Sequence, residues 1–223
     1  MSIILDGTAG ITTPAIIAPL ALTTASLSSP AVAGQLEYNG GIPYFTPLGT
    51  QRGVIPGMQY YILNTAYVGS NSTGAQSLFG VGVTLSSSIV YQFECSLYMT
   101  KTAGTTSHNM SLLFGGTATV NSILYQGVEN QSGLALTGPQ GTPVSFIATS
   151  AAASQTTSTT ANATEYIQID FKGIVSINAG GTFIPQYSLS AAPGGAYTTQ
   201  VGSYFLIYPT GSAGSNISVG TWA

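Results

Sequence analysis

Along 166–177 the chain reads as one long alternation. Ile167, Ile169, Phe171, Val175 and Ile177 take the odd positions together with Gly173, while Tyr166, Gln168, Asp170, Lys172 and Ser176 take the even ones, with Ile174 breaking the polar row. A side-chain period of two sets one row on a core and the other toward water or a partner. Twelve residues at about 3.3 Å each give a strand of about 40 Å, longer than the usual five or six residues, and such a strand needs an equally long companion. The stretch 89–99 supplies it: Ile89, Tyr91, Phe93, Cys95, Leu97 and Met99 share one face, and Gln92, Glu94, Ser96 and Tyr98 the other. Gly173 is expected to mark a bulge or a close backbone approach. Asp170 and Lys172, two residues apart on one face, are expected to neutralise each other in part.

Further strands are predicted at 60–67, 78–85, 108–114, 119–126, 144–148, 182–187 and 203–208. Turn signals separate them, among them Gly115-Gly116, Gly180-Gly181 and Pro193-Gly194-Gly195. No useful window has helical periodicity. Many strands with Gly-rich turns predict an all-β, jelly-roll-like β-sandwich. Before it, 34–47 reads as a small hairpin turning at Asn39-Gly40, and 48–57 as a linker around Arg52. Residues 1–33 read as an extended arm interrupted by Pro14, Pro19 and Pro30, either a strand added to its own domain or a segment docked elsewhere. The division is therefore 1–33 arm, 34–57 hairpin module and linker, and 58–223 sandwich. The Ser/Thr/Ala-rich tract 149–164 is expected to be a mobile surface loop.

Composition narrows the function. Charged residues make up 4% of the 223, against an ordinary share of about 25%. With three basic residues there is no footprint for nucleic acid. The longest apolar run, 15–22, falls short of the roughly 20 residues that span a membrane, and the Met1-Ser-Ile-Ile-Leu-Asp6 start does not read as a signal peptide. Apolar residues nonetheless reach 44%, with 13 Tyr, which suits uncharged strand faces packed against copies of the same chain.

No catalytic constellation is expected. Glu94, Glu129, Glu165 and Asp170 are too few to place two acids on one cleft. His108 has no nucleophile elbow near it and reads as a solvated strand-end histidine. Cys95, the single cysteine, reads as a buried structural residue. No metal spacing or cofactor fingerprint appears. In 203–208, Tyr204, Leu206 and Tyr208 face one way and Phe205 and Ile207 the other, so both faces should be covered. The tyrosine row, with Tyr166, suits a subunit interface.

Three motifs in order carry a resemblance. The start, Met1 to Pro14, resembles the N-termini of virion appendage proteins of tailed bacteriophages. Gly34-Gln-Leu-Glu-Tyr-Asn-Gly40 with Tyr44-Phe-Thr-Pro47 is similar to a module of tail-fibre-like proteins. Gly194-Gly-Ala-Tyr197, Gly202-Ser-Tyr-Phe205 and Ser218-Val-Gly-Thr-Trp-Ala223 look like the C-terminal domain of that group. The order Val83-Thr-Leu, Tyr91-Gln-Phe-Glu94, Gly202-Ser-Tyr-Phe-Leu-Ile207 is similar to trimeric jelly rolls of the complement and tumour-necrosis-factor type.

The resemblance implies a non-enzymatic homotrimer on the virion surface, a tail or baseplate fibre or spike. Its N-terminal arm, with Ile3, Leu5, Ile11 and Pro14, would hold other virion proteins. Its C-terminal domain would meet a host surface glycan or protein, with Pro193, Gly194, Gly195 and Tyr197 as candidate receptor contacts. A capsid decoration protein is the alternative, and a polysaccharide depolymerase a third reading. No cofactor and no membrane insertion are implied.

Overall fold

The two long alternating stretches lie side by side. The structure is a computed structural model describing residues 22–132 and 143–222, and among these every helix-or-strand element is a β-strand. They form two compact units, 22–55 with 219–222, and 56–218.

The first unit is a three-stranded antiparallel sheet of β1 (Leu36–Asn39), β2 (Ile42–Phe45) and β3 (Gly53–Val54), in that order. Asn39 pairs with Ile42, so the turn residues are Gly40 and Gly41, at φ +58° and +83°. A two-residue turn with both centres left-handed favours Gly-Gly, which moves the turn one residue beyond the expected Asn39-Gly40. Arg52 is no linker residue: its Nε lies 2.7 Å from Glu37 Oε2, and its Nη2 donates to the Ser28 carbonyl at 2.7 Å. Ser28 in turn donates its N–H and hydroxyl to Glu37 Oε1 at 2.7 and 2.9 Å. That backbone N–H, ahead of the Arg52 guanidinium, holds the Glu37 carboxyl below its usual range. Ser28, assigned to the arm by sequence, thus belongs to the hairpin module.

The second unit runs β4 (Gln59–Ile62), β5 (Tyr67–Val68), β6 (Gln76–Ser77), β7 (Val83–Leu85), β8 (Ile89–Lys101), β9 (Met110–Gly115), β10 (Thr119–Ser132), β11 (Val144–Ala148), β12 (Ser154–Gln155), β13 (Glu165–Ala179), β14 (Gly181–Leu189), β15 (Thr198–Thr199) and β16 (Tyr204–Ser212). The expected strand 60–67 is split between β4 and β5, and the expected strand 78–85 is reduced to β7, because the chain bends at 64–65 and 78–80.

As the alternation predicts, β13 pairs antiparallel with β8, from Glu165 opposite Lys101 to Ser176 opposite Val90. Its other edge pairs with β10, which carries β11 outside it. Beyond β8 lie β15 and β16, and β4 pairs with β16. The smaller sheet runs β12–β9–β14–β6, with β7 also on β14. Leaving the β10–β11 hairpin aside, the two sheets have the spatial orders β4–β16–β8–β13 and β7–β14–β9–β12. That is jelly-roll connectivity, with the β10–β11 hairpin widening the larger sheet. The fold is an all-β sandwich of jelly-roll type.

Between the sheets Phe93 is ringed by Phe114, Tyr125, Phe171, Phe183 and Phe205, with centroids 5.3–6.4 Å away. Gly173 stands opposite both Phe93 and Tyr125 in register. A Cβ there would sit 2.4 Å from the Leu124 carbonyl oxygen, 2.6 Å from Tyr125 Cβ and 2.7 Å from Phe93 Cζ. Register runs unbroken through Gly173, so of the two expected reasons close approach holds; the register shifts lie at 119–122 and 209–211.

The tract 149–164 runs largely over the surface, as expected, but it is anchored to the sandwich at several points. Thr156 and Thr157 are buried, the Thr157 hydroxyl accepts the Met110 N–H at 2.8 Å, and Thr160 bridges His108 through backbone bonds of 2.9 Å in both directions. Threonine hydroxyls supply the partners that buried backbone groups require.

Candidate functional site

Chemistry-bearing side chains gather at one end of the sandwich, where β8 ends and β13 begins. Lys101 and Glu165 are register partners there, both with fully buried side chains, Nζ lying 3.4 Å from Oε1. The Lys101 ammonium also donates to the carbonyls of Asn162 at 2.6 Å, Gly104 at 3.0 Å and Ala103 at 3.3 Å. Glu165 accepts from the Tyr197 hydroxyl, from Thr160 Oγ1 at 3.2 Å and from Gln131 Nε2 at 3.4 Å. His108 Nε2 lies 2.7 Å from the Tyr197 oxygen, and Nδ1 donates to the Thr106 carbonyl at 2.8 Å. Burial, and then the bond to the Glu165 carboxylate, raise the Tyr197 phenol far above its ordinary range.

These are the residue types of acid–base catalysis, yet Lys101, His108, Glu165 and Tyr197 are each 1% exposed or less. Each spends its polar atoms on the others and on loop backbone, so the arrangement clasps the loops 102–109, 156–164 and 190–197 together. The expected solvated His108 is overturned: its ring is a core group because Tyr197 and Thr106 satisfy both nitrogens.

The same clasp relocates the expected receptor contacts. Tyr197 is inside it, and Pro193 is buried with its carbonyl accepting the Thr106 N–H at 3.2 Å. A Cβ on Gly195 would lie 2.3 Å from the Ala103 carbonyl oxygen, so that glycine permits loop-on-loop packing. Gly194 is the exposed member of the four, donating its N–H to Asn71 Oδ1 at 2.9 Å. Pro193 and Tyr197 therefore cannot contact a receptor from this arrangement. Ile3, Leu5, Ile11 and Pro14 lie outside the described residues.

The larger sheet's outer face is a different kind of surface. Directly opposed strand residues point the same way, so the register lays out rows across it. One runs Tyr60, Leu206, Glu94, Lys172, Gln126, Ile147; the next runs Ile62, Tyr204, Ser96, Asp170, Val128, Ser145. Tyr204, Leu206 and Tyr208 form one half-buried line along β16, as expected, and Tyr60 and Tyr204 rings lie 5.5 Å apart. Tyr166 shares the face but stands beside Thr100, about 13 Å along β8 from the level of Tyr204. Tyr60, Ile62, Leu124, Val128, Ile147 and Ile174 are exposed here, Ile147 to 67%. On the smaller sheet, none of β9 or β14 carries an exposed large apolar side chain. β4, exposed throughout and paired on one edge, ends the large sheet beside an apolar cleft of about 320 Å³ lined by Tyr61, Phe79, Val81 and Phe205.

Polar groups on this face are tied down. Tyr204 donates to Glu94 Oε1 at 2.7 Å, which pushes its phenol up to about 12. Asp170 accepts from Ser96 Oγ at 2.5 Å and Gln168 Nε2 at 3.0 Å. Asp170 and Lys172 share the face, as expected, without an ion pair within 4 Å among the described residues, and Lys172 stands opposite Glu94 across the ladder. Sequence reasoning noted Ile174 as a break in the polar row, and that break was the available signal for an apolar outer face.

Two other buried groups matter. Cys95 is buried as expected, its thiol raised well above the usual range by burial. Glu129 points inward, Oε1 has no hydrogen-bond partner among the described residues, and burial pushes its carboxyl up to about 7. Compared with protein-family models and with curated proteins, the chain gives no match.

Proposed function

We propose that this chain is a structural protein of a bacteriophage particle, a homotrimeric tail or baseplate fibre or spike that adheres to the host surface. One observation carries the reading: the sandwich has two unlike outer faces, and the larger one leaves Tyr60, Ile62, Leu124, Val128, Ile147 and Ile174 open. Several exposed large apolar side chains gathered on one face of an isolated subunit mark a contact surface, and a chain with 4% charged residues suits packing against its own copies. Jelly-roll connectivity supports the trimeric form that the resemblance implies.

In this reading Tyr204, Leu206, Tyr208 and Tyr166 turn toward neighbouring copies, the N-terminal arm holds other virion proteins, and open loops such as that at Gly194 face a host glycan or protein. A non-catalytic role is supported by the carboxylates themselves: Glu165 is consumed by the clasp, Glu129 is buried, and Glu94 and Asp170 are tied by neighbouring donors. Imaging of intact particles carrying a label at the C-terminus tests the reading. Label on the tail or baseplate is expected; label on the head transfers the protein to capsid decoration, and its absence from the particle contradicts both. Incubation with host capsular glycan is expected to release no oligosaccharide; release would replace adhesion with depolymerisation.

A further inference from the structure

The sandwich unit contains six charged residues, Glu94, Lys101, Glu129, Glu165, Asp170 and Lys172. Three are buried. The other three, Glu94, Asp170 and Lys172, are all exposed and all lie on β8 and β13 at adjacent positions of the larger sheet's outer face. They line a depression of about 460 Å³ together with Gln126, Val128 and Ser145. Each carboxylate is held by donors of its own subunit, whereas Lys172 makes no ion pair within 4 Å among the described residues.

We propose that Lys172 sets the register of self-association by pairing with the Glu94 and Asp170 carboxylates of a second copy of this chain. Leu124, Val128, Ile147 and Ile174 are exposed on the same face, so a surface that covers them also reaches the charges set among them and Gln126, Ser96 and Ser145. Covering a charge that makes no ion pair is unfavourable, and Lys172 stands opposite Glu94 without pairing with it, so a covering surface that brings a carboxylate to this spot is favoured. A second copy does, because the exposed charges of its sandwich unit are the same three and include both signs. In a closed ring each copy gives its Lys172 to one neighbour and receives one from the other.

The dimensions allow it. The six strands β4, β16, β8, β13, β10 and β11, of 4, 9, 13, 15, 14 and 5 residues, at about 3.3 Å per residue and about 4.8 Å apart make a face of roughly 1,000 Å². A stable interface needs about 800 Å² from each partner. The depression gives a long side chain room to enter.

This inference rests on the trimeric reading above, and sedimentation equilibrium of the full chain separates their failures. Wild type, Lys172→Asp, Lys172→Met and the swap Asp170→Lys/Lys172→Asp are compared at equal concentration, with far-UV circular dichroism confirming the fold. The wild type is expected near three times 22.7 kDa. Association of Lys172→Asp should weaken tenfold or more, that of Lys172→Met should weaken less, and the swap should regain most of the loss. Raising salt from 0.15 to 1 M should weaken the wild type, a readout that needs no variant. A threefold mass that is indifferent to Lys172→Asp and to salt overturns this inference alone. Equal dissociation of the single and swapped variants also overturns it. A wild type that stays at 22.7 kDa overturns this inference and the trimer together, and leaves the surface to a different protein.

Discussion

Replacing Lys101 by Met probes the clasp at its centre. The thioether side chain fills much of the lysine volume but donates nothing. The carbonyls of Ala103, Gly104 and Asn162, bonded at 2.6–3.3 Å, lose their donor, and the fully buried Glu165 carboxylate loses its countercharge 3.4 Å away. Breaking a buried pair from one side costs about 3–5 kcal/mol, out of a typical total of about 5–15 kcal/mol. For a domain of this size that lowers Tm by roughly 6–20 °C. Urea unfolding of the full chain at fixed concentration measures it, the midpoint falling with the slope unchanged. Adding Glu165→Gln removes the orphaned charge, so the double variant should cost less than the sum of the singles. A Lys101→Met loss below about 1 kcal/mol would show that the pair is hydrated and the clasp reading wrong.

Gly173→Ala places a methyl 2.4 Å from the Leu124 carbonyl oxygen and should destabilise by about 1–3 kcal/mol; a neutral result in urea would mean the two strands separate freely there. Glu129, raised to about 7 from 4.5, binds protons more readily folded than unfolded. Its contribution is fully present below pH 4.5, is lost as pH climbs to about 7, and is flat above that. Glu129→Gln should therefore raise the urea midpoint at pH 8 and leave it nearly unchanged at pH 4; equal shifts at both would count against the assignment. The buried Cys95 thiol, its ionisation opposed by burial, should react with a thiol-specific disulfide reagent only at the unfolding rate; rapid labelling of the native protein would contradict its position.

Period-two alternation was enough to place β13 beside β8, to turn Phe93, Cys95 and Phe171 inward and Asp170 and Lys172 outward, and to single out Gly173 as a bulge or a close approach, between which the register decides. Parity also contained the clasp, one step past the strand ends assigned from sequence. Lys101 continues the inward row that ends at Met99, and Glu165 precedes the one that begins at Ile167. A charged residue on an inward row normally ends a strand, and these two are tolerated because register sets each opposite the other. His108 and Tyr197 could not be joined in advance, since the chain separates them by 89 residues and only the folded loops bring them together. Tract 149–164 hid its role because small hydroxyl side chains look alike whether they face water or satisfy buried backbone.

The claim on which this account turns is that copies meet across the larger sheet's outer face. Hydroxyl-radical footprinting of the full chain, compared between dilute and associated samples, tests it directly. Tyr60, Tyr204, Leu206 and Tyr208 should be protected on association, with Leu113 and Ile184 of the smaller sheet unchanged. Protection confined to the smaller sheet, or association with no protection of β4 and β16, would contradict it.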